Sequence, residues 1–399
     1  MLSLHSCPLC KPGSRYNGGM SIYIRELVHE LAGQGHSIDI FTVTHAEEEH
    51  DGDLSIAPGV RLIHIECSLP AHLSSSYLNS WAELAASRIK ESAGNYDLVH
   101  SHYWLSGLVA VILASHWEIP HITMFHTLGA LKNKAGLGEI EPNSRISGEL
   151  TVAGASDVIV ASTDRETQEL TNTYNVSGAN VSLITCGVNL RSFQPIDREI
   201  ARKLCGLRQV KTGLFVGRAD PIKGLDRLLS IIDELNSYDF QLVIVGGEST
   251  INNRLLSFMK SSQSGCIPIL VGSVSYEEMS MYYNAADFCI IPSYYESFSL
   301  VALESLACGT PVVSTDVGGI KKIVGNSDFC QVVPRHAENT LLVAILRMIQ
   351  HEQLDSNSRE HLRALVTDYG WDKISQQLLA LYYRSIDKSL SRVVSAGCR

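Results

Sequence analysis

Short apolar runs alternate with segments of helical periodicity along the whole chain. Runs such as Ile38–Val43, Val158–Ala161 and Phe288–Ile291 are too short for helices, and apolar residues recur at helical spacing in the stretches between such runs. This alternation predicts parallel β-sheets covered by helices, the α/β class. The other predicted strands are Leu62–Ile65, Leu98–His102, Ile122–Phe125, Ser182–Ile184, Gly213–Val216, Gln241–Val245, Ile269–Gly272 and Val312–Ser314.

The alternation is interrupted near the middle of the chain. Gly187-Val188-Asn189 and Phe193-Gln194-Pro195 are typical of irregular structure and precede a charged helix. The 399 residues also exceed one ordinary domain, since a domain usually contains about 100–200 residues. We therefore predict two doubly wound domains that join near 187–208, the first over 1–188 and the second over 189–371.

The remaining residues, 372–399, contain a last helix and a tail. The helix is predicted over Asp372–Tyr383, where apolar residues recur at helical spacing. The tail after Ser389 is predicted to be frayed, as chain ends are unless something ties them down.

Two doubly wound domains that face each other would line one cleft from both sides. In open α/β sheets, ligands bind beyond the carboxyl ends of the strands, where the helices also begin. We therefore expect the chemistry of this chain in the loops that follow strands, at a cleft between the domains.

Two acids, Glu296 and Glu304, bracket the start of a short apolar helix that ends at Gly309. If Ser297 or Ser299 caps this helix, Glu296 lies in the loop before it and Glu304 about two turns along. The backbone N–H groups at Ser299, Leu300 and Val301 would then favour an anion. Acids that bind hydroxyls beside amides that bind phosphate suit a nucleotide sugar, although an ordinary loop acid and an exposed helix acid also explain the two glutamates.

Two further loops carry groups that suit a phosphate. Arg218 and Lys223 follow the predicted strand Gly213–Val216; Arg218 can hold phosphate oxygens bidentately, and Lys223 acts as a point charge. Gly18 and Gly19 precede a helix predicted over Ser21–Gln34, and paired glycines let a loop approach a ligand closely. The structural alternative is a solvated loop for Arg218 and Lys223 and a simple turn for Gly18 and Gly19.

Histidines end two neighbouring predicted strands. Alternation along a strand places His100 and His102 on one face, and His126 follows the next strand. A metal could use such histidines, but hydrogen-bonded histidines that shape a sugar pocket are the favoured interpretation because no acid or cysteine lies nearby at ligand spacing.

Composition narrows the class of protein. Apolar residues make up 45% and charged residues 19%, as in ordinary globular enzymes, and a net charge of -10 argues against nucleic acid as a partner. The ten cysteines lie mostly in apolar runs, which is typical of buried thiols in a reducing compartment. Cys7 and Cys10 form the one close pair, with no second pair at zinc spacing. We see no signal peptide and no spanning segment, so we expect a cytoplasmic protein.

These segments together resemble the family 4 glycosyltransferases, retaining enzymes of the GT-B fold, in which two Rossmann-like domains face an interdomain cleft. The resemblance runs from Gly18 to Trp371. It rests on the paired-glutamate segment, the loop with Arg218 and Lys223, Ala286-Asp287 and Thr315–Gly319. The segments His100–Gly107 and His126–Asn133 are most similar to the branch that holds sucrose-phosphate synthases and inositol-phosphate N-acetylglucosaminyltransferases.

The resemblance implies a role for each candidate residue. Its catalytic residues would be His126, Arg218, Lys223 and Glu296. The donor would be bound in the second domain, with its diphosphate on Arg218 and Lys223, its ribose on Glu304 and its sugar near Glu296 and His126. Further donor contacts would come from Gly18, Gly19, Ser297, Phe298, Ser299, Leu300 and Val301. The acceptor would be bound in the first domain by Ser21, Tyr103, Thr127 and Arg145, and the last helix would cross back onto that domain.

Two departures from the branch concern the acceptor. Members that use a phosphorylated acceptor carry a lysine upstream of the His-Tyr-Trp strand, and residues 67–88 contain none. The inositol-phosphate enzymes also have asparagine where this chain has Ser21. Both departures weaken the assignment of inositol phosphate, while Tyr103 and Arg145 keep a phosphate or polyol acceptor open.

The function we predict is transfer of a hexose, of the glucose, N-acetylglucosamine or mannose type, from a nucleoside diphosphate sugar to an acceptor hydroxyl with retention. A UDP-sugar is favoured as donor, and the acceptor is a polyol, a sugar or a lipid-linked molecule. No cofactor and no metal are expected, because Arg218 and Lys223 already neutralise the diphosphate. Peripheral membrane contact and a homodimer stay open. The alternatives are a GT-B epimerase or hydrolase of nucleotide sugars, and a non-catalytic protein that binds sugar nucleotides; a glycoside phosphorylase lacks a candidate Schiff-base lysine.

Overall fold

A computed structural model describes residues 1–9, 18–43, 56–70, 73–92, 94–137, 140–218, 220–235, 237–246, 268–336 and 338–397. Its contacts divide the chain into two compact units. Unit 2 contains residues 187–370, and unit 1 contains the described residues before and after them. Because residues 371–397 group with unit 1, the chain passes between the units twice.

Unit 1 contains six strands and a set of flanking helices. The strands are β1 (Ile38–Val43), β2 (Val60–Ile65), β3 (Val99–His102), β4 (His121–Met124), β5 (Val158–Ala161) and β6 (Val181–Leu183). The helices are α1 (Gly19–Gly33), α2 (Ser75–Ser92), α3 (Trp104–Trp117), α4 (Gly129–Ala135), α5 (Asn143–Ala155) and α6 (Asp164–Asn172). Strand β1 pairs with β2, and β3 to β6 pair in chain order, all in parallel.

The first residues of the chain join these two groups of strands. The backbone of Leu2 bonds to His100 and His102 in β3, and that of Ser3 bonds to Phe41 in β1. The spatial order is therefore β2, β1, residues 2–3, β3, β4, β5 and β6. When residues 2–3 are counted as the first strand, this is the 3-2-1-4-5-6 order of a doubly wound sheet with β6 added as a seventh strand. Its switch point, where the strand order reverses, lies between residues 2–3 and β3.

Unit 2 has the same order in one continuous sheet. Its strands are β7 (Lys211–Val216), β8 (Phe240–Val245), β9 (Ile269–Gly272), β10 (Phe288–Ile291), β11 (Val312–Thr315) and β12 (Gln331–Val333). They are arranged β12-β11-β10-β7-β8-β9 and are parallel throughout. The switch point lies between β7 and β10, so the loops after these two strands meet there.

Helices flank the sheet of unit 2, and one long helix returns to unit 1. Those of unit 2 are α7 (Arg198–Leu204), α8 (Leu225–Ser230), α9 (Tyr276–Ala285), α10 (Leu300–Ala307), α11 (Ile320–Val324), α12 (Glu338–Gln350) and α13 (Ser356–Ala364). The last helix, α14 (Trp371–Gly397), packs on α1, and its residues Trp371, Ile374 and Leu378 are buried. The core of unit 2 joins Phe215, Phe240, Phe288 and Ile345 across the sheet and its helices.

Most predicted strands lie within two residues of the observed ones, and the α/β class is confirmed. Two expected element ends are wrong, and one strand was missed. The last helix runs to Gly397, so the backbone of residues 390–397 is helical and not frayed. Helix α1 begins at Gly19 and not at Ser21, and strand β12 was not predicted at all because Gln331–Val333 is too short to show a period. None of the described helices is long and apolar enough to span a bilayer.

Candidate functional site

The switch point of unit 2 brings Lys223 and Glu296 together from loops that are far apart in the chain. Lys223 Nζ lies 2.8 and 2.7 Å from the two carboxylate oxygens of Glu296. The hydroxyl of Ser293 donates a further hydrogen bond to Glu296 at 2.8 Å. The side chain of Lys223 is 27% exposed and that of Glu296 is 11% exposed, so the pair is reachable from solvent. A cation and a hydroxyl-binding acid are therefore available at one place.

Glycine at position 224 allows the two loops to meet. Gly224 has a φ of +73°, and a Cβ atom built there would lie 2.1 Å from the carbonyl oxygen of Pro292. Any other residue would push the two loops apart. The backbone N–H of Tyr294 donates to the carbonyl of Ile222 at 2.8 Å, which closes the contact on the other side. The backbone around Lys223 thus has a fixed position on the loop that carries Glu296.

The loop after Glu296 leads directly into α10. Ser299 caps this helix, because its hydroxyl accepts from the N–H of Ala302 at 3.3 Å. The amides of Leu300 and Val301 are therefore the first two N–H groups of the helix, where an anion is favoured. Gly318, with a φ of +54°, packs so closely on this loop that a Cβ atom would lie 2.7 Å from that of Glu296.

The second acid of the pair is held by a tyrosine that sequence analysis missed. Glu304 lies in the second turn of α10, whereas a position about two turns along the helix was expected. Its side chain is buried. The hydroxyl of Tyr283 in α9 donates to Glu304 Oε2 at 2.7 Å. Burial, followed by the charge of Glu304, raises the pKa of Tyr283 well above its ordinary value, so this hydroxyl keeps its proton. The sequence does not indicate the contact between Tyr283 and Glu304, because the two residues lie in different helices.

The other predicted donor residues are distributed over both units. Arg218 is half-buried, two residues beyond the end of β7, and Phe298 is buried beside Tyr369. Ser297, half-buried, lies between Glu296 and Phe298 in the same loop. Gly18 and Gly19 belong to unit 1, where Gly18 is the N-cap of α1. The structure therefore places all predicted donor residues except the glycine pair in unit 2.

Unit 1 carries a cluster of histidines at its own switch point. His102 Nδ1 lies 2.9 Å from His126 Nε2, and the rings of His100 and His102 lie 4.2 Å apart between centroids. His100 Nδ1 is bonded to the hydroxyl of Tyr382 in α14 at 2.6 Å. Burial lowers the pKa of His126 to about 3 and those of His100 and His102 well below 6.5, so all three imidazoles are neutral near pH 7. Among the described residues, no group of three or more histidine, cysteine or acidic side chains is arranged to hold a metal ion.

Three of the four predicted acceptor residues lie together beside this cluster. Arg145 in α5 donates from Nη2 to the backbone oxygen and hydroxyl of Thr127 at 3.0 and 2.9 Å. Its guanidinium carbon lies 5.0 Å from the ring centre of Tyr103. The left-handed φ of Tyr103, +73°, and that of His126, +59°, place their side chains in turns that follow β3 and β4.

Arg145 is engaged more fully than the sequence indicated. It is 2% exposed, its Nε lies 2.8 Å from Glu149, and its Nη1 lies 2.9 Å from Glu141. Glu149 also accepts from the N–H of Gly129 and from the hydroxyl of Tyr174. These partners, which sequence analysis missed, make Arg145 a brace for the turn at Thr127.

Ser21, the fourth predicted acceptor residue, has a different environment. It is buried in α1, and its hydroxyl shares a hydrogen bond of 2.5 Å with that of Ser6. Cys7 is buried, whereas Cys10, the other half of the close cysteine pair, lies outside the described residues.

Comparisons with known proteins agree with this geometry in both halves of the chain. A family model described as Glycosyltransferase Family 4 matches residues 17–192, and one described as Glycosyl transferases group 1 matches residues 210–351. The D-inositol 3-phosphate glycosyltransferase 2 of Catenulispora acidiphila is 34% identical, with 97% of this chain and 95% of that protein covered. This chain belongs to glycosyltransferase family 4.

A solved structure and a second relative are similar to this family 4 glycosyltransferase over nearly its whole length. Sucrose-phosphate synthase from Thermosynechococcus elongatus matches with a TM-score of 0.84 and 29% identity, over 96% of this chain and 97% of that one. The D-inositol 3-phosphate glycosyltransferase of a Nocardioides species is 34% identical over 96% of this chain and 89% of that protein. The prediction of a GT-B fold with two Rossmann-like units is therefore confirmed, as is that of a glycosyltransferase.

Proposed function

We propose that this glycosyltransferase moves a hexose from a nucleoside diphosphate sugar to a hydroxyl of a polyol or sugar acceptor, with retention at the anomeric carbon. The observation that carries the donor assignment is the switch point of unit 2. There Lys223, Glu296 and the amino end of α10 lie together at the carboxyl edge of the sheet. A diphosphate needs cations and amides, and a sugar needs hydrogen-bond acceptors.

In this proposal, Lys223 and Arg218 bind the diphosphate with the amides of Leu300 and Val301. Negative charge grows on the diphosphate as its bond to the sugar breaks, so these groups stabilise the transition state more than the bound donor. Glu304 accepts hydrogen bonds from the ribose, and Glu296 accepts one from the sugar. His126, as the family resemblance implies, also contacts the sugar. No protein cofactor or metal takes part in the proposed reaction.

The Lys223–Glu296 ion pair adds a step to donor binding. Glu296 neutralises Lys223 in this structure, whereas the proposal gives the diphosphate to Lys223 and the sugar hydroxyl to Glu296. Donor binding therefore replaces the ion pair between Lys223 and Glu296 by two contacts, one from Lys223 to the diphosphate and one from Glu296 to the sugar. Free nucleoside diphosphate, which lacks the sugar, satisfies Lys223 but leaves Glu296 without its new partner.

We propose that the acceptor binds in unit 1 near Tyr103 and Thr127, with Arg145 acting through Thr127. The relatives are named for inositol 3-phosphate, and the structural neighbour is named a sucrose-phosphate synthase. The absence of lysine in residues 67–88 and the buried Ser21 favour an acceptor without that phosphate contact. The cytoplasmic location, membrane contact and homodimer stay predictions.

Donor binding is tested by thermal shift with UDP-, GDP- and ADP-sugars, followed by mass spectrometry of transfer to myo-inositol, inositol 3-phosphate, free hexoses and cell extract. We expect stabilisation by one base class and a product of added hexose mass, and NMR of that product should show the donor's anomeric configuration. An inverted product would contradict retention. Donor breakdown at the same rate without acceptor would favour an epimerase or hydrolase, and no product across the panel would favour a binding protein.

A further inference from the structure

The imidazole of His126 is hydrogen-bonded to another imidazole and not to a carboxylate. His102 Nδ1 lies 2.9 Å from His126 Nε2, and His102 is fully buried in β3. Between two neutral imidazoles, one nitrogen must donate the proton and the other must accept it. The bond therefore couples the tautomer of His126 to that of His102.

The second nitrogen of His102 decides which ring donates. His102 Nε2 is buried and has no hydrogen-bond partner among the described residues. Among backbone groups, a buried N–H without a partner is rarer than a buried acceptor without one, and a ring N–H likewise loses its hydrogen bond to water on burial. The proton of His102 therefore belongs on Nδ1, where it is donated to His126 Nε2. His126, which accepts at Nε2, must carry its own proton on Nδ1.

The surroundings of His102 hold its ring in this orientation. His100 lies against one side, with a centroid distance of 4.2 Å, and is itself bonded to Tyr382 of α14. Tyr23 of α1 meets the edge of His126 at 5.2 Å and lies 5.8 Å from His102. Tyr23 also contacts Trp371 at 5.1 Å, so α1 and α14 enclose the two histidines.

We propose that His102 is a positioning residue that keeps His126 in the Nδ1–H tautomer, so that His126 meets the donor sugar as a hydrogen-bond donor and does not act as a base. The contact between His126 and the sugar rests on the proposed function. The tautomer does not, because it follows from contacts within unit 1. Burial, which keeps both rings neutral near pH 7, supports the same arrangement.

The tautomer is read directly from 15N chemical shifts of the ring nitrogens in protein labelled at histidine. His126 signals are assigned by their loss in His126→Asn. We expect a protonated Nδ1 and an unprotonated Nε2 in the free enzyme near pH 7.5. A protonated Nε2 would overturn the proposal, whatever the kinetics show.

Three variants at His102 then test whether the tautomer matters to turnover. Asn places an amide N–H near the position of Nδ1, so His102→Asn should keep the tautomer and stay within about threefold of normal kcat/KM for the donor. His102→Asp should reverse the tautomer, because a carboxylate only accepts, and His102→Phe should release it. For both we expect a fall of about tenfold or more, which is the lower end of the loss seen when the hydrogen-bond partner of a metal-ligating histidine is removed.

The acceptor KM should stay unchanged in all three His102 variants. The matched control is His121→Asn. His121 is another buried histidine, at the amino end of β4, and should lose stability without changing the donor KM or the His126 signals. Normal donor kinetics in His102→Phe would overturn the positioning role. If His126→Asn itself retains full activity, the sugar contact in the proposed function is wrong, while the NMR result still decides the tautomer.

Discussion

The two switch points have the same strand order but opposite electrostatic character. In unit 1, strand β3 and the turn after β4 present neutral imidazoles that are bonded to each other and to Tyr382. In unit 2, the loops after β7 and β10 present a lysine and a glutamate as a charged pair. The strand order fixes where ligand-binding loops converge, and the residues on those loops decide which part of a ligand each can bind.

Burial explains the difference in charge. The histidines of unit 1 have little or no access to water, so the uncharged form is favoured and only hydrogen bonds are available for recognition. Lys223 and Glu296 are partly exposed and face each other, so both charges are tolerated. Sugar hydroxyls suit the first environment and a diphosphate suits the second.

The largest effect should come from removing the cation of unit 2. Lys223→Ala should lower kcat by about 10²–10³-fold, the usual loss for one contact to developing negative charge. Steady-state kinetics at saturating donor measures it. Lys203→Ala, which removes an exposed lysine of α7 in the same unit, should turn over normally. Near-normal turnover in Lys223→Ala would remove Lys223 from the mechanism.

Neutralising Glu296 should have opposite effects on sugar transfer and on binding of the free nucleoside diphosphate. Glu296→Gln should lower transfer by about 10- to 100-fold, because a charge-assisted hydrogen bond to the sugar is lost. The same change should tighten binding of free UDP, or of whichever nucleoside diphosphate binds, by about fivefold, since Lys223 no longer has a competing carboxylate. Calorimetry measures the affinity, with Glu277→Gln as an exposed control. Weaker nucleotide binding would show that Glu296 orients Lys223 and does not compete for it.

The neutral histidines of unit 1 should make the folded state sensitive to acid. A histidine that is neutral when buried takes up a proton only on unfolding, so stability falls as the pH drops below about 6.5. His121, whose pKa burial lowers to about 4, should contribute a loss of about 1.4 kcal/mol at pH 5.5 relative to neutral pH. Urea unfolding at pH 7.5 and 5.5 should show this loss reduced in His121→Asn and unchanged in His116→Asn, a variant of an exposed histidine. An equal loss in both variants would mean that His121 is not its source.

The smallest effect should come from the tyrosine behind Glu304. Tyr283→Phe removes the hydrogen bond that orients the carboxylate without removing its charge, so nucleotide affinity should weaken by about three- to fivefold. Calorimetry with the nucleoside diphosphate measures it, and Tyr282→Phe on the same helix is the control. Tyr283→Phe should leave the His126 ring signals unchanged, because His126 belongs to unit 1. Unchanged nucleotide affinity would mean that Glu304 needs no support from α9.

Much of the site was predictable because its residues lie close together in the chain. The helix after Glu296, its cap at Ser299 and the cations after β7 all follow from local signals, such as a strand that ends in a polar loop. Gly309 and Pro311 likewise mark the end of α10 before β11. Tyr283 and Tyr382 were not predictable as partners of Glu304 and His100, because they reach them from distant elements. Glu149 lies four residues after Arg145 in α5, a spacing at which helix side chains meet, so this pair had a local signal that sequence analysis missed.

The amino-acid sequence by itself determined the α/β class, most of the strands and the polar residues that follow them in the loops, because each depends on neighbouring positions. Only the tertiary structure decided the strand order, the place of residues 2–3 in the sheet of unit 1, and the pairing of Lys223 with Glu296 and of His102 with His126. The reason is that a hydrogen bond or an ion pair depends on distance in space. Residues 73 or 24 positions apart come within bonding distance only after the sheets have formed.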